Sequence, residues 1–350
     1  MLFFRKPPQT VDPRDVGGPL QPMMIVDSLR KHFVLESAIG EERAVVHAVD
    51  DISFNVTKNE TLGIVGESGC GKSTTARLLI RLIEADKGAI VLDGEEVGGV
   101  RGISVKALRH SVQMVFQDSY ASLNPRMTLE ETIMFGPRAN GVSREEARAR
   151  AHDVLGRVGL APETFAQRMP HELSGGQRQR VNIARALAMN PRVLILDEAV
   201  SALDKSVEAQ VLNLLQDLKH ELGLTYLFIS HDLNVVRYIS DRVMVMYLGK
   251  VVEIGDVADI YERPKHPYTR GLLSSRPSMD PRRRRTEAPL SGDPPSPIKP
   301  PSGCRFRTRC SLAEDICAER EPPLTAHGDH AAACHAATPA SGHSMAPEIN

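Results

Sequence analysis

The chain has 350 residues, with 43 Lys and Arg against 44 Asp and Glu and a formal net charge of -1. That length buries one substantial core with a smaller module attached rather than two full-size domains, and a charge this close to zero gives no electrostatic case for nucleic acid as a partner. No stretch approaches the roughly 18 to 20 consecutive apolar residues that cross a bilayer, and Met1 to Thr10 has no apolar core of signal-peptide length, so a cytosolic chain is expected.

Residues 1–22 hold Pro7, Pro8, Pro13, Pro19 and Pro22 with Gly17 and Gly18, which interrupt any helix or central strand and predict a flexible leader. From Met23 the pattern turns globular. Thr61 to Val65, Val112 to Phe116, Val193 to Leu196 and Thr225 to Ile229 are short apolar runs alternating with helical segments, which predicts an α/β fold on a mostly parallel sheet. Between the second and third runs, Arg144 to Val158 sets Ala147, Ala151, Val154, Leu155 and Val158 on one helical face, with Arg and Glu on the other. A helical subdomain is therefore expected over about 118–175.

After Gly255 the composition changes. A short helix is expected from near Asp256, followed by a proline tract between Pro281 and Pro301, four of the five cysteines, and an alanine-rich tail beyond Cys334 expected to be mobile. The main domain is accordingly placed at 23–255 and a C-terminal extension at 256–350. No internal repeat is visible.

The strongest motif is Gly66-Glu67-Ser68-Gly69-Cys70-Gly71-Lys72-Ser73, which fits G-x-x-x-x-G-K-[ST] and follows the run Thr61 to Val65 directly. Its place between a strand and a helix sets it apart from a glycine-rich turn that binds nothing. Glycines let successive N–H groups face phosphate oxygens, and the next helix offers its positive end to the same anion. Lys72 is expected to reach the β- and γ-phosphates of ATP, Ser73 to ligate Mg²⁺, and Thr74 to bond the α-phosphate; Cys70 fills a variable position.

Val193 to Leu196 runs into Asp197 and Glu198, at the strand end where α/β folds bind ligands. Alone, such an acidic pair is about as often a helix N-cap. Coupled to a phosphate loop, it predicts Asp197 on Mg²⁺ and Glu198 as the general base for water attack. Leu173-Ser174-Gly175-Gly176-Gln177-Arg178-Gln179-Arg180 then makes a second anion-type site where a helix running through Val181, Ala184 and Leu187 begins.

This octet resembles the signature motif of ABC ATPases, which is more specific to one family than the phosphate loop. The resemblance implies a P-loop NTPase cassette with a parallel-sheet core, an antiparallel β subdomain and a helical subdomain. It also implies head-to-tail dimers in which each ATP lies between one chain's phosphate loop and the other's Ser174, Gly175 and Gly176. On the same ground Gln117 resembles the glutamine that senses Mg²⁺ and the γ-phosphate, His231 the switch histidine, and Ser201-Ala202-Leu203-Asp204 the loop that couples the two sites. Phe33 is the candidate for stacking on adenine, although a lone Phe is more often a core residue.

Three further stretches, Val115 to Arg126, Pro264-Lys265-His266-Pro267-Tyr268-Thr269 and Gly303-Cys304-Arg305-Phe306-Arg307-Thr308-Arg309-Cys310, resemble the ATPases of oligopeptide, dipeptide and nickel importers. The resemblance covers about Met23 to Cys334. Within that group the chain looks like the second of two ATPase paralogues, which implies a heterodimer with the other paralogue, two transmembrane permease subunits and an extracytoplasmic binding protein. The expected location is the cytoplasmic face of the inner membrane, as a peripheral subunit. Ala199 and Ser119 stand where the family usually has proline, and neither position carries a catalytic group.

Cys304, Cys310, Cys317 and Cys334 lack paired C-x₂-C knuckles, and spacing alone leaves an iron–sulfur cluster, zinc and no metal equally open. The resemblance implies a [4Fe–4S] cluster. Arg282 to Arg285 reads as a solvated basic run. A soluble ABC ATPase working on DNA or ribosomes would be expected to bring a second cassette or long inserts, and a degenerate ATPase to lack Glu198 or His231. The cargo is not encoded in these motifs, so nickel, glutathione or another solute stands beside peptide.

Overall fold

The computed structural model describes residues 15, 17–18, 20–35, 43–275 and 292–347. Most of the expected leader and the whole Arg282–Arg285 run lie outside the described residues. Strand β1 (Met24–Val34) pairs antiparallel with β2 (Val45–Val56). Along β1, Met24 and Val26 are buried while Ile25 and Asp27 are exposed; Ser28, with φ of 49°, then shifts the register so that Leu29 returns to the core. After β3 (Thr61–Val65) and helix α1 (Lys72–Leu79), strands β4 (Lys87–Leu92) and β5 (Glu95–Glu96) complete a four-stranded antiparallel sheet in the order β2-β1-β4-β5. Lys58, in the turn before β3, donates to Asp15 and to the Gly18 carbonyl, so the end of the leader is tied to this sheet.

The chain continues through α2 (Val105–Ser111), β6 (Val112–Val115), α3 (Leu129–Ala139), α4 (Arg144–Arg157), α5 (Pro162–Phe165) and α6 (Gly175–Leu187). Strand β7 (Val193–Asp197), α7 (Lys205–Leu222), β8 (Thr225–Ile229), α8 (Leu233–Ile239), β9 (Arg242–Tyr247) and β10 (Lys250–Asp256) follow. Parallel pairing joins β9, β3, β8, β7 and β6 in that order. Every residue of β3, β7 and β8 is buried, because both faces of the sheet are covered. Alternate side chains divide the core: Leu194, Leu196, Tyr226 and Phe228 face the side of the helical subdomain, while Val193, Ile195, Leu227 and Ile229 face α1 and the antiparallel sheet.

The helical layer forms where the spacing predicts it. Ala147, Ala151, Val154 and Leu155 are the buried residues of α4, and Val158 just beyond its end is buried too. Thr128 starts α3 with a reciprocal cap: its hydroxyl accepts from the Glu131 N–H at 3.2 Å, and the Glu131 carboxylate accepts from the Thr128 N–H at 3.0 Å.

Across the boundary expected near 255 the main sheet continues. Beyond α9 (Val257–Glu262), α10 (Pro267–Ser274) and α11 (Asp315–Glu319), strands β11 (Thr325–His327) and β12 (His330–Ala332) form a hairpin, and β12 pairs with β10, extending the main sheet to the order β11-β12-β10-β9-β3-β8-β7-β6. Glu253 of β10 is fully buried and makes the joint polar. Its carboxylate accepts from the Lys265 and His266 N–H groups at 2.6 and 3.1 Å and lies 2.7 Å from His330 Nε2. Burial pushes the neighbouring His266 down to about 4, so its imidazole is neutral at pH 7. The tail beyond Cys334, expected to be mobile, has two buried anchor points within 335–347. His335 and His343 are buried, with Nε2 atoms 2.9 Å from the Arg320 carbonyl and 2.8 Å from the Leu312 carbonyl.

Candidate nucleotide site

The loop between β3 and α1 takes the form its glycines require. Gly66, Gly69 and Gly71 have φ of 151°, 78° and 108°. A Cβ at Gly66 would lie 2.2 Å from the Met246 carbonyl oxygen, and one at Gly71 would lie 2.3 Å from that of Ala48. Both positions therefore demand glycine for space as well as for backbone angle. Ser68 and Gly69 are exposed at the loop's tip and Thr74 is half-buried in the first turn of α1. The Cys70 thiol points inward and is buried, so this residue can offer a ligand only its backbone. Lys72 is buried, and its ammonium donates to the Gly66 and Glu67 carbonyls at 2.7 and 3.0 Å and to Cys70 Sγ at 3.6 Å.

At the end of β7 the carboxylates divide. Asp197 is buried and accepts from Ser73 Oγ at 3.0 Å. Burial raises its carboxyl above the usual range, with Glu198 adding to the rise and the Ser73 bond opposing it. Two adjacent hard oxygen donors, one of them a carboxylate short of positive charge, suit Mg²⁺. Glu198 turns away from the strand with φ of 48°, a conformation rarely taken by a non-glycine residue. Its Oε2 accepts from Gln117 Nε2 at 2.8 Å and lies 3.4 Å from His231 Nδ1. Three side chains separated by 81 and 33 positions thus meet on one carboxylate oxygen. Beside them a cleft of about 810 Å³ opens among Arg77, Gln117, Arg185, Asp197 and Ser201. Arg77 and Arg185 were not foreseen from sequence, since an arginine within a helix is ordinarily a solvated side chain.

The signature segment lies apart from these contacts. Ser174 caps α6: its hydroxyl accepts from the Gln177 N–H at 3.3 Å and the Gln177 side chain accepts from the Ser174 N–H at 3.0 Å. A Cβ at Gly176 would stand 2.3 Å from Val207 Cγ1 of α7, while Gly175 has ordinary room. Ser174 and Asp204 are both exposed, at the starts of α6 and α7. Among the described residues, Ser174 hydrogen-bonds only within its own helix. Phe33 lies near the end of β1, partly exposed, with the Lys31 ammonium 5.5 Å from its ring centroid.

Comparison with known proteins decides the family. Residues 49–201 match the ABC transporter family and residues 252–317 the oligopeptide/dipeptide transporter C-terminal region. A probable peptide ABC transporter ATP-binding protein, y4tS of Sinorhizobium fredii, is 50% identical over 93% of this chain and 93% of its own. This chain belongs to the oligopeptide/dipeptide ABC transporter ATP-binding family. Within that family the oligopeptide transport ATP-binding protein OppF of Escherichia coli is 46% identical, covering 89% of this chain and 95% of OppF. Among solved structures, the ATP-binding cassette MJ0796, described as a dimer after hydrolysis with ADP and phosphate bound, is 30% identical with a TM-score of 0.57. That match covers 67% of this chain and 99% of that one.

In the C-terminal extension the four cysteines share one neighbourhood, although the matched family region ends at residue 317, before Cys334. Cys304, Cys310, Cys317 and Cys334 all line one small cavity together with His266 and His343. All six pairs among the four thiols lie within electrostatic reach of one another. Burial pushes the Cys304 thiol up to about 12 and raises Cys310 and Cys334 as well, so all three are protonated at pH 7 in the absence of a bound cation. No three of the sulfurs come within 4.8 Å of one another. Among the described residues that spacing is met by His32, His47 and Asp50, where Arg30, Arg305 and Lys250 already surround the carboxylate.

Proposed function

We propose that this chain hydrolyses ATP to drive peptide import through a membrane complex, and that Gln117, Glu198 and His231 carry the reaction. The observation that carries the reading is the convergence of Gln117 and His231 on Glu198, beside the Ser73–Asp197 pair and the phosphate loop. Lys72 leaves its loop carbonyls for the β- and γ-phosphates, and the N–H groups of Gly69 and of residues 71–74 face the phosphate oxygens, while that of Cys70 stays bonded to the Glu67 carbonyl. Ser73, Asp197 and Gln117 would hold Mg²⁺, which when bound would neutralise phosphate charge. Glu198 takes the proton of the attacking water, positioned by Gln117, and His231 donates to the γ-phosphate. Phe33 stacks on the adenine.

Ser174, Gly175 and Gly176 complete the site on a second chain, with Asp204 at the junction. The exposure of Ser174 at the start of α6, and the dimeric state of the MJ0796 cassette, support this arrangement. The second chain is a paralogous ATPase, and the dimer sits on two permease subunits at the cytoplasmic face of the membrane, served by an extracytoplasmic binding protein. No helix among the described residues is long and apolar enough to cross a membrane, as a peripheral subunit requires. Reconstitution with its permeases and binding protein in liposomes should give ATP-dependent uptake of labelled peptide. Uptake of nickel or another solute without peptide would replace the cargo, and absence of ATP hydrolysis would overturn the reading.

The four cysteines hold an iron–sulfur cluster on this reading. What supports it is that all four thiols line one small cavity of the extension. Anaerobically purified chain should be brown, with broad visible absorption and bound iron. A colourless, iron-free preparation that binds ATP normally would remove the cluster and leave the ATPase standing.

A further inference from the structure

The phosphate loop is held from outside as well as by its own glycines. Both terminal guanidinium nitrogens of Arg309 donate to Glu67, the second residue of the loop, at 2.7 and 3.0 Å. Arg309 comes from the cysteine-bearing extension, next to Cys310, and its side chain is only 5% exposed. Beneath it lies the ring of Tyr247, with the centroid 5.9 Å away. A second residue of the extension, Tyr268, accepts the Glu67 N–H at 2.8 Å and is fully buried. Within the loop, the Glu67 carbonyl takes the Lys72 ammonium at 3.0 Å and the Cys70 N–H at 3.2 Å. One residue therefore joins the extension, through its side chain and N–H, to Lys72, through its carbonyl.

Charge sharpens the point. A carboxylate in a loop built to receive a polyanion repels its ligand unless a cation covers it, and a planar guanidinium in fork geometry both covers and fixes it. We propose that Arg309 is a positioning residue for nucleotide binding, which cancels the charge of Glu67 and sets the peptide from which Lys72 reaches the phosphates. The extension is then part of the nucleotide site although no atom of Arg309 contacts ATP.

This rests on the ATP-binding reading above. The test is calorimetric titration of the purified full-length chain with Mg-ATP, with iron content and melting temperature recorded for each variant. R309M should bind ATP about 10-fold more weakly than wild type, and turnover at saturating ATP should fall by much less than the affinity. Removing the exposed charge as well, in R309M/E67Q, should recover most of the lost affinity, which a purely structural role would not allow. Wild-type affinity in R309M, or a double variant no tighter than the single, overturns the proposal. Should R309M not fold, R309K keeps the charge and loses the fork; affinity about 3-fold weaker supports the proposal and unchanged affinity sinks it. A wild-type chain that binds no ATP would instead overturn the ATPase reading itself.

Discussion

Replacing Glu198 with Gln is expected to lower ATP turnover at least about 100-fold while ATP remains bound. The amide matches the carboxylate in shape, and its oxygen can still accept from Gln117 Nε2, so the 2.8 Å contact that orders this corner can survive. What is lost is the capacity to take a proton from water, and a general base contributes about 10² to 10⁴ in rate. The strained backbone at Glu198 supports a role beyond packing, because a φ of 48° persists only where the surroundings enforce it. Single-turnover hydrolysis and size-exclusion chromatography with ATP check both halves of the expectation. Turnover close to wild type would take Glu198 out of the base role, and slow turnover with no ATP-dependent dimer would show that ATP occupancy alone does not hold the proposed dimer together.

Lys72→Met should weaken ATP binding by a factor of about 10 to 100. Met keeps the aliphatic length of the buried side chain, so the packing of α1 against the sheet changes little. The ammonium is the loss. A charge-assisted contact to a phosphate contributes about 1.5–3 kcal/mol, and the Gly66 and Glu67 carbonyls lose their donor at the same time. Titration with a fluorescent ATP analogue, alongside thermal melting of the nucleotide-free chain, separates the two effects. A variant that binds ATP as wild type does would show that the loop's N–H groups suffice.

The parallel strands were legible because burial on both faces leaves unbroken apolar runs, as in Val193 to Leu196. The proposed catalytic positions stand out in the sequence because each follows a strand or opens a helix, where the chain's own geometry aims it. Contacts made across the fold carry no such mark. Arg309 and Glu67 stand 242 positions apart, and an arginine between two cysteines offers no hint of its partner. Strand β12 is three residues long, too short for a period-two pattern, and it reaches β10 only after the intervening proline tract. His335 and His343 look like tail residues by composition, yet each is buried with a backbone carbonyl as partner, and polarity alone does not reveal that. The antiparallel β subdomain came from the family resemblance; the first two strands carry register shifts that blur alternation.

The pairing of β12 with β10 bears on how the cassette can be divided. Cutting the chain after Asp256 would strip the partner from Glu253 and Ile254 and leave an unpaired sheet edge, which is a template for association with other chains. The same cut would remove the Lys265, His266 and His330 donors from a carboxylate with no access to water. A shortened cassette would therefore be less soluble and less stable than the whole, so the extension behaves as a retaining wall for the sheet it borders.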